Sequence, residues 1–341
     1  MLNIFLRLTA VTISVIALFG FLGCSDEPEE QQTQTRQIQN RILVLRNSSS
    51  YGELINSQLL KGIETVKSDI SDTRIEISRR FSSEDSFRVT IENFIRSNGD
   101  FVIATGTLYS DAFLQIALDN PDVNFAILDG EIFDIDNDSN IVSYIYDSYA
   151  MGYYAGVIAA HLSQTGHVAY IGGYEDSTRS RYGEGFRRGV SSVRNNVRVR
   201  NKYVGETDDG FDYPEMAYII ANEKYLGNID IIAHNAKNSA EGIFEAAIDN
   251  QKFVIGYGID ETIMVEDIDK RIFYTSVIKR YDVGVDLAIR NFLSGFVGGN
   301  LVLDGRHDAI DHTLNSANND IQTIEDHLIA LKLEMKEWRY R

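Results

Sequence analysis

The stretch VIATGTLYSDAFLQIALDNPDVNFAILDG, Val102–Gly130, contains the pattern that decides the fold. An apolar run at Phe101–Thr105 predicts a buried strand, a helical pattern follows at Asp111–Leu118, and a second apolar run at Val123–Leu128 predicts another strand. Buried strands that are joined through a helix are typical of a parallel sheet covered by helices.

The same alternation continues on both sides of this unit. The other predicted strands are Arg41–Leu45, Arg74–Ile77, Ile141–Ile145, His167–Ile171, Val197–Val204, Ile229–Ala233 and Phe253–Gly256. The other predicted helices are Glu53–Lys67, Glu84–Arg96, Tyr149–Leu162, Arg181–Val193, Pro214–Tyr225, Ala240–Asp249 and Val283–Leu293. This number of strands exceeds one modest sheet, so the sequence predicts an α/β fold of two doubly wound lobes.

Composition excludes several classes of function. The chain has 341 residues and a net charge of −18, which disfavours nucleic acid as a partner because phosphate binding needs basic clusters. One cysteine excludes internal disulfides and cysteine metal cages, and the six histidines show no ligand spacing. The sequence contains no nucleophile elbow, phosphate loop or dinucleotide fingerprint. We therefore expect no enzyme, no cofactor and no metal site.

The N-terminus has the pattern of an export signal. Arg7 precedes an uncharged run, Leu8–Gly23, that is short for a membrane-spanning helix. Phe21-Leu22-Gly23-Cys24 resembles a bacterial lipobox, which predicts a signal peptide at residues 1–23 and lipid attachment at Cys24. The alternative is an uncleaved anchor. Residues 24–40 are acidic and rich in glutamine, which favours a flexible tether to a cell membrane.

Polar loops follow several predicted strands. Arg46–Ser50 follows the first strand, Thr105–Thr107 the third, and Gly172–Asp176 a strand of the second half. In doubly wound folds, ligands bind beyond the carboxyl ends of the strands. These loops are therefore candidates for a binding site, although loops are also polar because they face water.

Several segments together resemble the basic membrane lipoprotein family, the purine-nucleoside-receptor-like branch of ABC-transporter substrate-binding proteins. The opening stretch is similar to the family's turn, helix and Pro-Asp-Val-x-Phe-Ala-Ile-x-Asp strand. The other similar segments are AGVIAAHLSQTGHVAYIGG (Ala155–Gly173), YGEGFRRGV (Tyr182–Val190), EGIFEAA (Glu241–Ala247) and TSVIKRYDVGV (Thr275–Val285). They occur in family order and spacing from about Arg41 to Asn300.

The resemblance implies a type I periplasmic-binding-protein fold, whose two lobes close on a ligand about hinge strands. We expect three crossings, near Ser143–Tyr146, Gly256–Asp260 and Phe273–Val277. The first lobe would then hold residues 41–143 and 257–274, and the second 144–256 and 275–300. Residues 301–341 would form a C-terminal strand and a long helix, predicted over Asp320–Trp338, that docks on the lobes.

The resemblance also implies positions for the pocket, and many of them differ here. An aspartate follows the first strand in nucleoside-binding members, where this chain has Arg46. The motif that supplies one stacking ring reads Leu54-Ile55-Asn56, and the turn that supplies the second reads Gly205-Glu206-Thr207-Asp208, although Phe211 is near. Loss of both rings would remove most of a nucleoside's stacking energy.

Other family positions are partly kept. The family's Gly-Val-Asp motif, whose aspartate binds the ribose hydroxyls, reads Gly256-Tyr257-Gly258 in this chain, and the family's Gly-Gly turn reads Lys237-Asn238. Asp111 matches the aspartate of the family's Asp-Ala turn, and Lys279 matches the lysine of its Ser-Val-Val-Lys-Arg motif. The expected ligand-binding residues are Arg46, Asn47, Tyr51, Asn56, Gly106, Thr107, Asp111, Tyr174, Thr207, Asn235, Lys237, Gly258 and Lys279.

Arg46 leads to a hypothesis about the ligand. A guanidinium in place of an aspartate would favour an anionic or acceptor-rich solute over a nucleoside. The structural alternative is that Arg46 pairs with a nearby carboxylate such as Asp129 or Asp111. Three of the expected ligand-binding residues have structural alternatives. Asn56 could make a local helix hydrogen bond, Asp111 could cap its helix, and Lys279 could be a surface lysine.

The implied function is uptake: a lipid-anchored receptor delivers a small polar solute to ABC permease and ATPase subunits. The alternatives are a sensing or surface lipoprotein of the same fold, and a degenerate relative whose cleft is plugged by its own side chains.

Overall fold

The computed structural model describes residues 40–49, 52–132, 135–136, 138–175, 181–296 and 298–338. The strands are β1 (Asn40–Val44), β2 (Thr73–Ile77), β3 (Phe101–Thr105), β4 (Asn124–Leu128), β5 (Ile141–Tyr146), β6 (His167–Gly172), β7 (Arg198–Tyr203), β8 (Ile231–Asn235), β9 (Phe253–Gly258), β10 (Phe273–Lys279), β11 (Gly299–Leu303) and β12 (Ile310–His312). The helices are α1 (Gly52–Asp69), α2 (Glu84–Arg96), α3 (Ser110–Asp119), α4 (Ser148–Leu162), α5 (Tyr182–Val193), α6 (Pro214–Leu226), α7 (Ala240–Asn250), α8 (Tyr281–Leu293) and α9 (Glu325–Lys336).

The strands form two six-stranded sheets, and the predicted fold class is confirmed. The first sheet has the order β11-β5-β4-β3-β1-β2 and the second has the order β12-β10-β9-β8-β6-β7. All neighbours are parallel except β12, which runs antiparallel to β10. The central strands are buried on both faces because helices cover each sheet, which explains their continuous apolar sequences.

The chain passes between the lobes at positions that differ in part from those predicted. The three crossings are Tyr146–Ser148, Lys279–Tyr281 and the segment between Leu303 and Ile310. The first agrees with the predicted crossing, but the other two predicted crossings lie within the second sheet. The assignment of residues 257–274 to the first lobe is therefore wrong, and so is that of 281–300 to the second. Strands β9 and β10 are equally apolar in either sheet, so their sequences do not reveal which sheet they join.

Helix α8 returns the chain to the first lobe. It packs against α1, where the backbone carbonyl of Asp282 lies against Gly62, and the Phe292 ring stacks on Phe101 with centroids 4.4 Å apart. Strand β11 then pairs with β5 at the edge of the first sheet. The first lobe thus consists of residues 40–146 and 281–303.

The C-terminal segment docks on the second lobe. The predicted long helix is a 3₁₀ turn at Asp320–Ile324 followed by the shorter helix α9. The predicted apolar stripe faces inward, since Ile321, Ile324, Leu328, Leu331 and Met335 are buried. Trp338 packs edge-on against Tyr153 of α4, with ring centroids 4.9 Å apart. No described helix is long and apolar enough to span a membrane.

Ion pairs of Asp311 join this segment to the rest of the second lobe. Its carboxylate lies 3.0 Å from the Lys332 amine of α9 and 3.2 Å from the Arg280 guanidinium. Burial alone would raise the pKa of Asp311, but hydrogen bonds from His312 and Lys332 outweigh it and hold that pKa well below its ordinary value of 3.8. A lowered pKa stabilises the fold above the pKa of the unfolded chain, and that contribution is lost as pH falls through the folded-state value.

Asp311→Asn is therefore expected to lower the free energy of unfolding at pH 7 by about 1–3 kcal/mol. The difference from the wild type should shrink below about pH 4. Urea unfolding at a series of pH values measures both effects. Asp308→Asn is the matched control, because Asp308 is more exposed and lies 3.7 Å from the same lysine. Equal losses in the two variants, or a difference that is constant down to pH 2, would contradict the assignment.

Helices α4 and α5 approach each other through glycines. A Cβ atom on Gly152 or Gly156 of α4, or on Gly185 or Gly189 of α5, would overlap a backbone carbonyl oxygen of the partner helix. This close contact positions the first residue of α5, Tyr182, whose ring lies 5.4 Å from that of Tyr257 on β9.

Candidate functional site

The carboxyl ends of β4, β9 and β10 bring charged and aromatic side chains together where the lobes meet. The Lys279 amine, at the end of β10 in the second lobe, lies 2.8 Å from both carboxylate oxygens of Asp129, which follows β4 in the first lobe. Burial by itself would lower the pKa of Lys279, but the Asp129 charge outweighs this effect and the pKa is raised. The lysine is therefore a cation whose charge is neutralised across the lobes.

Tyrosines surround this ion pair. The Tyr281 hydroxyl donates to the Asp129 carboxylate at 2.6 Å, and the Lys279 amine lies 4.9 Å from the centre of the Tyr257 ring. The Tyr146 hydroxyl donates to the Arg280 carbonyl at 3.0 Å, directly at the second crossing. Burial, followed by the Asp129 charge, raises the pKa of both Tyr146 and Tyr281, so both remain neutral donors at physiological pH.

A second group lies on the second lobe only. The Lys237 amine sits 4.4 Å from the centre of the Phe211 ring, and the Tyr174 ring meets that ring edge-on at 5.3 Å. Partial burial of the amine, and then the charge of Lys279, lower the pKa of Lys237, whereas Asp129 and Asp208 raise it. Lys237 follows the carboxyl end of β8, and β8, β9 and β10 are parallel neighbours, so Lys237 and Lys279 lie at the same edge of the second sheet.

Arg46 has a structural partner, although not one of the two considered from the sequence. Its guanidinium lies 3.0 Å from Glu53 in the first turn of α1, and its backbone amide donates to Ser78 Oγ at 3.0 Å. Arg80 approaches the same glutamate at 3.4 Å. Arg46 therefore pairs with a nearby carboxylate, as in the structural alternative, but this carboxylate is Glu53, and Asp129 pairs with Lys279 instead. Glu53 belongs to the same lobe as Arg46.

Asn47 and Asn56 hold the turn after β1 in shape. The Asn47 backbone amide donates to Asn56 Oδ1 at 2.7 Å, and Asn56 Nδ2 donates back to the Asn47 carbonyl at 3.1 Å. Asn47 Nδ2 also reaches Thr105 at 3.3 Å, beside Gly106, whose φ is +74°. Asn56 is buried, so its amide is committed to this turn.

The remaining predicted positions are spread over both lobes. Asp111 lies exposed in the first turn of α3, whose N-cap is Tyr109, so the predicted capping role is wrong. Thr107 and Thr207 are exposed loop residues, whereas Asn235 is buried at the end of β8. Gly258 ends β9 with a φ of +83° and faces the Lys279 side chain. Tyr51 and Cys24 lie outside the described residues.

The predicted ligand-binding positions did not include Asp129, Tyr146, Tyr257 and Tyr281 of the interlobe group, nor Phe211 beside Lys237. A weak signal existed for Asp129, since it ends an apolar strand in the opening stretch. Its φ of +61° is a conformation that aspartate and asparagine tolerate better than most residues. Phe211, noted in the sequence as lying near the turn that lacks a stacking ring, is the last residue of a 3₁₀ turn at Asp208–Phe211.

Two α/β lobes whose charged and aromatic side chains converge at the carboxyl ends of both sheets define a two-lobed solute-binding protein. No group of metal ligands is present among the described residues. The chain belongs to the Bmp family, described as ABC transporter substrate-binding protein PnrA-like, which matches residues 40–337. It is a substrate-binding protein of the ABC-transporter type, which is a non-enzymatic class.

Relatives and solved structures are consistent with this assignment. The chain is 24% identical to basic membrane protein A2 of Borrelia garinii over 79% of this chain and 78% of the relative. It is 28% identical to the CD4+ T-cell-stimulating antigen of Listeria innocua over 72% of each chain. An ABC transporter solute-binding protein from Conexibacter woesei has the same fold, with a TM-score of 0.66, 18% identity and coverage of 89% of this chain and 98% of that one.

Proposed function

We propose that the protein captures a small polar solute between its two lobes and delivers it to ABC permease and ATPase subunits. The observation that carries this proposal is the interlobe group, in which Lys279 of one lobe meets Asp129 and Tyr281 of the other. A hinged pair of lobes with polar groups on both sides of the cleft can close around a ligand and present the closed form to a partner.

The chemistry of the group favours a solute with both polar and ring-like parts. Phe211, Tyr174 and Tyr257 offer aromatic faces, and aromatic rings stack on planar or sugar-like ligands. The Lys237 amine supplies donors, and the Asp129 carboxylate supplies an acceptor. A nucleoside or an anionic relative fits this set of groups, and Arg46 is no longer needed to explain it because Glu53 neutralises its charge.

Two other functions predict different observations. A sensing or surface lipoprotein would bind a solute without associating with a permease. A degenerate relative would bind no solute. Relatives named basic membrane proteins favour attachment to a membrane, and we propose that it occurs through a lipid on Cys24.

Native mass spectrometry of the purified protein tests the proposal. The protein is measured as purified and then with nucleosides, nucleotides, sugars, sugar phosphates and organic acids. We expect one class to bind at a ratio of one to one. Retention of binding by Arg46→Ala is expected as well, since Arg46 pairs within its own lobe. A protein that binds none of these classes would support the degenerate alternative.

The lipid anchor has its own test. Metabolic labelling with palmitate should mark the wild type and leave Cys24→Ser unlabelled and released from the membrane fraction. Equal membrane association of the two forms would favour an uncleaved N-terminal anchor.

A further inference from the structure

Among the residues that the structure describes, Lys237 is a cation beside the carboxyl end of β8 that makes no ion pair. Lys279 is held by two contacts of 2.8 Å to Asp129. Within the described ranges, the Lys237 amine makes no ion pair, and its close contact is the Phe211 ring at 4.4 Å. The carboxylates of Asp129 and Asp208 raise the pKa of Lys237 without forming an ion pair with it. An ammonium has three N–H donors, and its contact with one ring face does not use all of them, so donors remain for a ligand.

The backbone at Lys237 supports a role in binding. Its φ is +48°, in the left-handed region that residues other than glycine, asparagine and aspartate rarely adopt. The residue lies in the short turn Lys237–Ser239 between β8 and α7. A lysine in this conformation is strained, and such strain is concentrated at ligand-binding positions. Glycine would fit the same backbone with less strain.

Hydrogen bonds of the neighbouring residues hold in place the turn that carries Lys237. Asn238 is tied to Asp212 by a hydrogen bond of 3.1 Å, and the Ser239 hydroxyl donates to the Gly210 carbonyl at 2.8 Å. These bonds fix the turn against the segment that carries Phe211. The Lys237 side chain therefore has a rigid base and a ring beneath its amine.

We propose that Lys237 binds an anionic group of the solute, a carboxylate or a phosphate, and so makes this receptor selective for an anion over its neutral counterpart. This inference rests on the proposed function and specifies the class of solute. The anion would approach the Lys237 amine from the side opposite Phe211, while the Asp129–Lys279 pair remains intact.

Matched pairs of probes test the inference by isothermal titration calorimetry. The pairs are guanosine and guanosine 5′-monophosphate, ribose and ribose 5-phosphate, and galactose and galacturonate. We expect the anionic member of one pair to bind more tightly than its neutral member. Lys237→Gln should weaken binding of that anion about 10- to 100-fold, the range for a hydrogen bond to a charged group. Binding of the neutral member should change less than about twofold.

Lys252→Gln is the control, because this lysine follows α7 at the opposite end of the second lobe's strands. It should leave the affinity for every probe unchanged. Lys237→Gly separates binding from folding: it should lose affinity for the anion to the same extent, yet keep or raise the melting temperature. A structural lysine would instead give a less stable glycine variant.

The outcomes separate this inference from the proposed function. Preference for the neutral probe, or unchanged anion affinity in Lys237→Gln, would overturn the role of Lys237 and leave a solute-binding protein. Absence of binding by every probe would overturn both.

Discussion

Asp129→Asn is expected to lower the free energy of unfolding by about 2–3 kcal/mol, because it leaves the Lys279 amine at the base of the cleft without its counterion. The Lys279 side chain is only 12% exposed and that of Asp129 is 25% exposed, so water replaces the lost partner poorly. Asparagine tolerates the left-handed backbone at this position. The substitution therefore removes charge without adding strain.

Chemical unfolding and small-angle X-ray scattering measure this effect. The variant should unfold at lower denaturant concentration, and its lobes should separate further, because the lost ion pair joins them beside the second crossing. Asp122→Asn, an exposed carboxylate just before the same strand, should match the wild type. Identical stability and scattering of wild type and Asp129→Asn would show that the pair contributes nothing to lobe closure.

The sign of the pH dependence follows from the lysine. The pKa of Lys279 is raised, so its contribution is fully present below its unfolded value of 10.5 and is lost only as pH rises through the higher folded value. Titration of Lys279 should therefore not change the difference in free energy of unfolding between the wild type and Asp129→Asn from about pH 6 to about pH 9, which lies below the unfolded-state pKa.

Gly185→Ala is the second substitution with a large expected effect. The new Cβ would overlap the Tyr149 carbonyl oxygen and lie 2.9 Å from the Tyr153 backbone nitrogen, so α4 and α5 must separate. Overpacking of this kind costs about 2–3 kcal/mol. At an unobstructed helical position, the same change would stabilise the protein by about 1 kcal/mol. A destabilised variant is thus diagnostic of the close contact.

Thermal and chemical unfolding measure the effect of Gly185→Ala. Arg187→Ala, on the exposed face of the same helix, is the control and should change the free energy of unfolding by less than about 0.5 kcal/mol. Because α5 positions Tyr182 against Tyr257, solute affinity should also fall in the glycine variant. A more stable Gly185→Ala protein would mean that the helices do not touch at this position.

The architecture of the fold could be predicted from linear pattern alone. The strand Phe101–Thr105 has the same bounds in prediction and structure, and β4 differs from its prediction by one residue. This agreement has a physical cause. A parallel strand buried on both faces must be apolar throughout, and an amphipathic helix must repeat its apolar face every three or four residues. Both patterns are local in sequence, so they can be recognised without knowing which elements pack against each other.

Only the tertiary structure decided which strands and which charged side chains pair with each other when they are distant in sequence. Strands β9 and β10 are apolar in either sheet, so only their pairing placed both in the second lobe. Arg46 could pair with any of several carboxylates, and it pairs with Glu53 because Glu53 lies in the first turn of the helix that follows the same loop. Lys279 and Asp129 are 150 residues apart in sequence. Contacts of this kind depend on how two lobes meet, and neither local propensity nor charge pattern specifies that geometry.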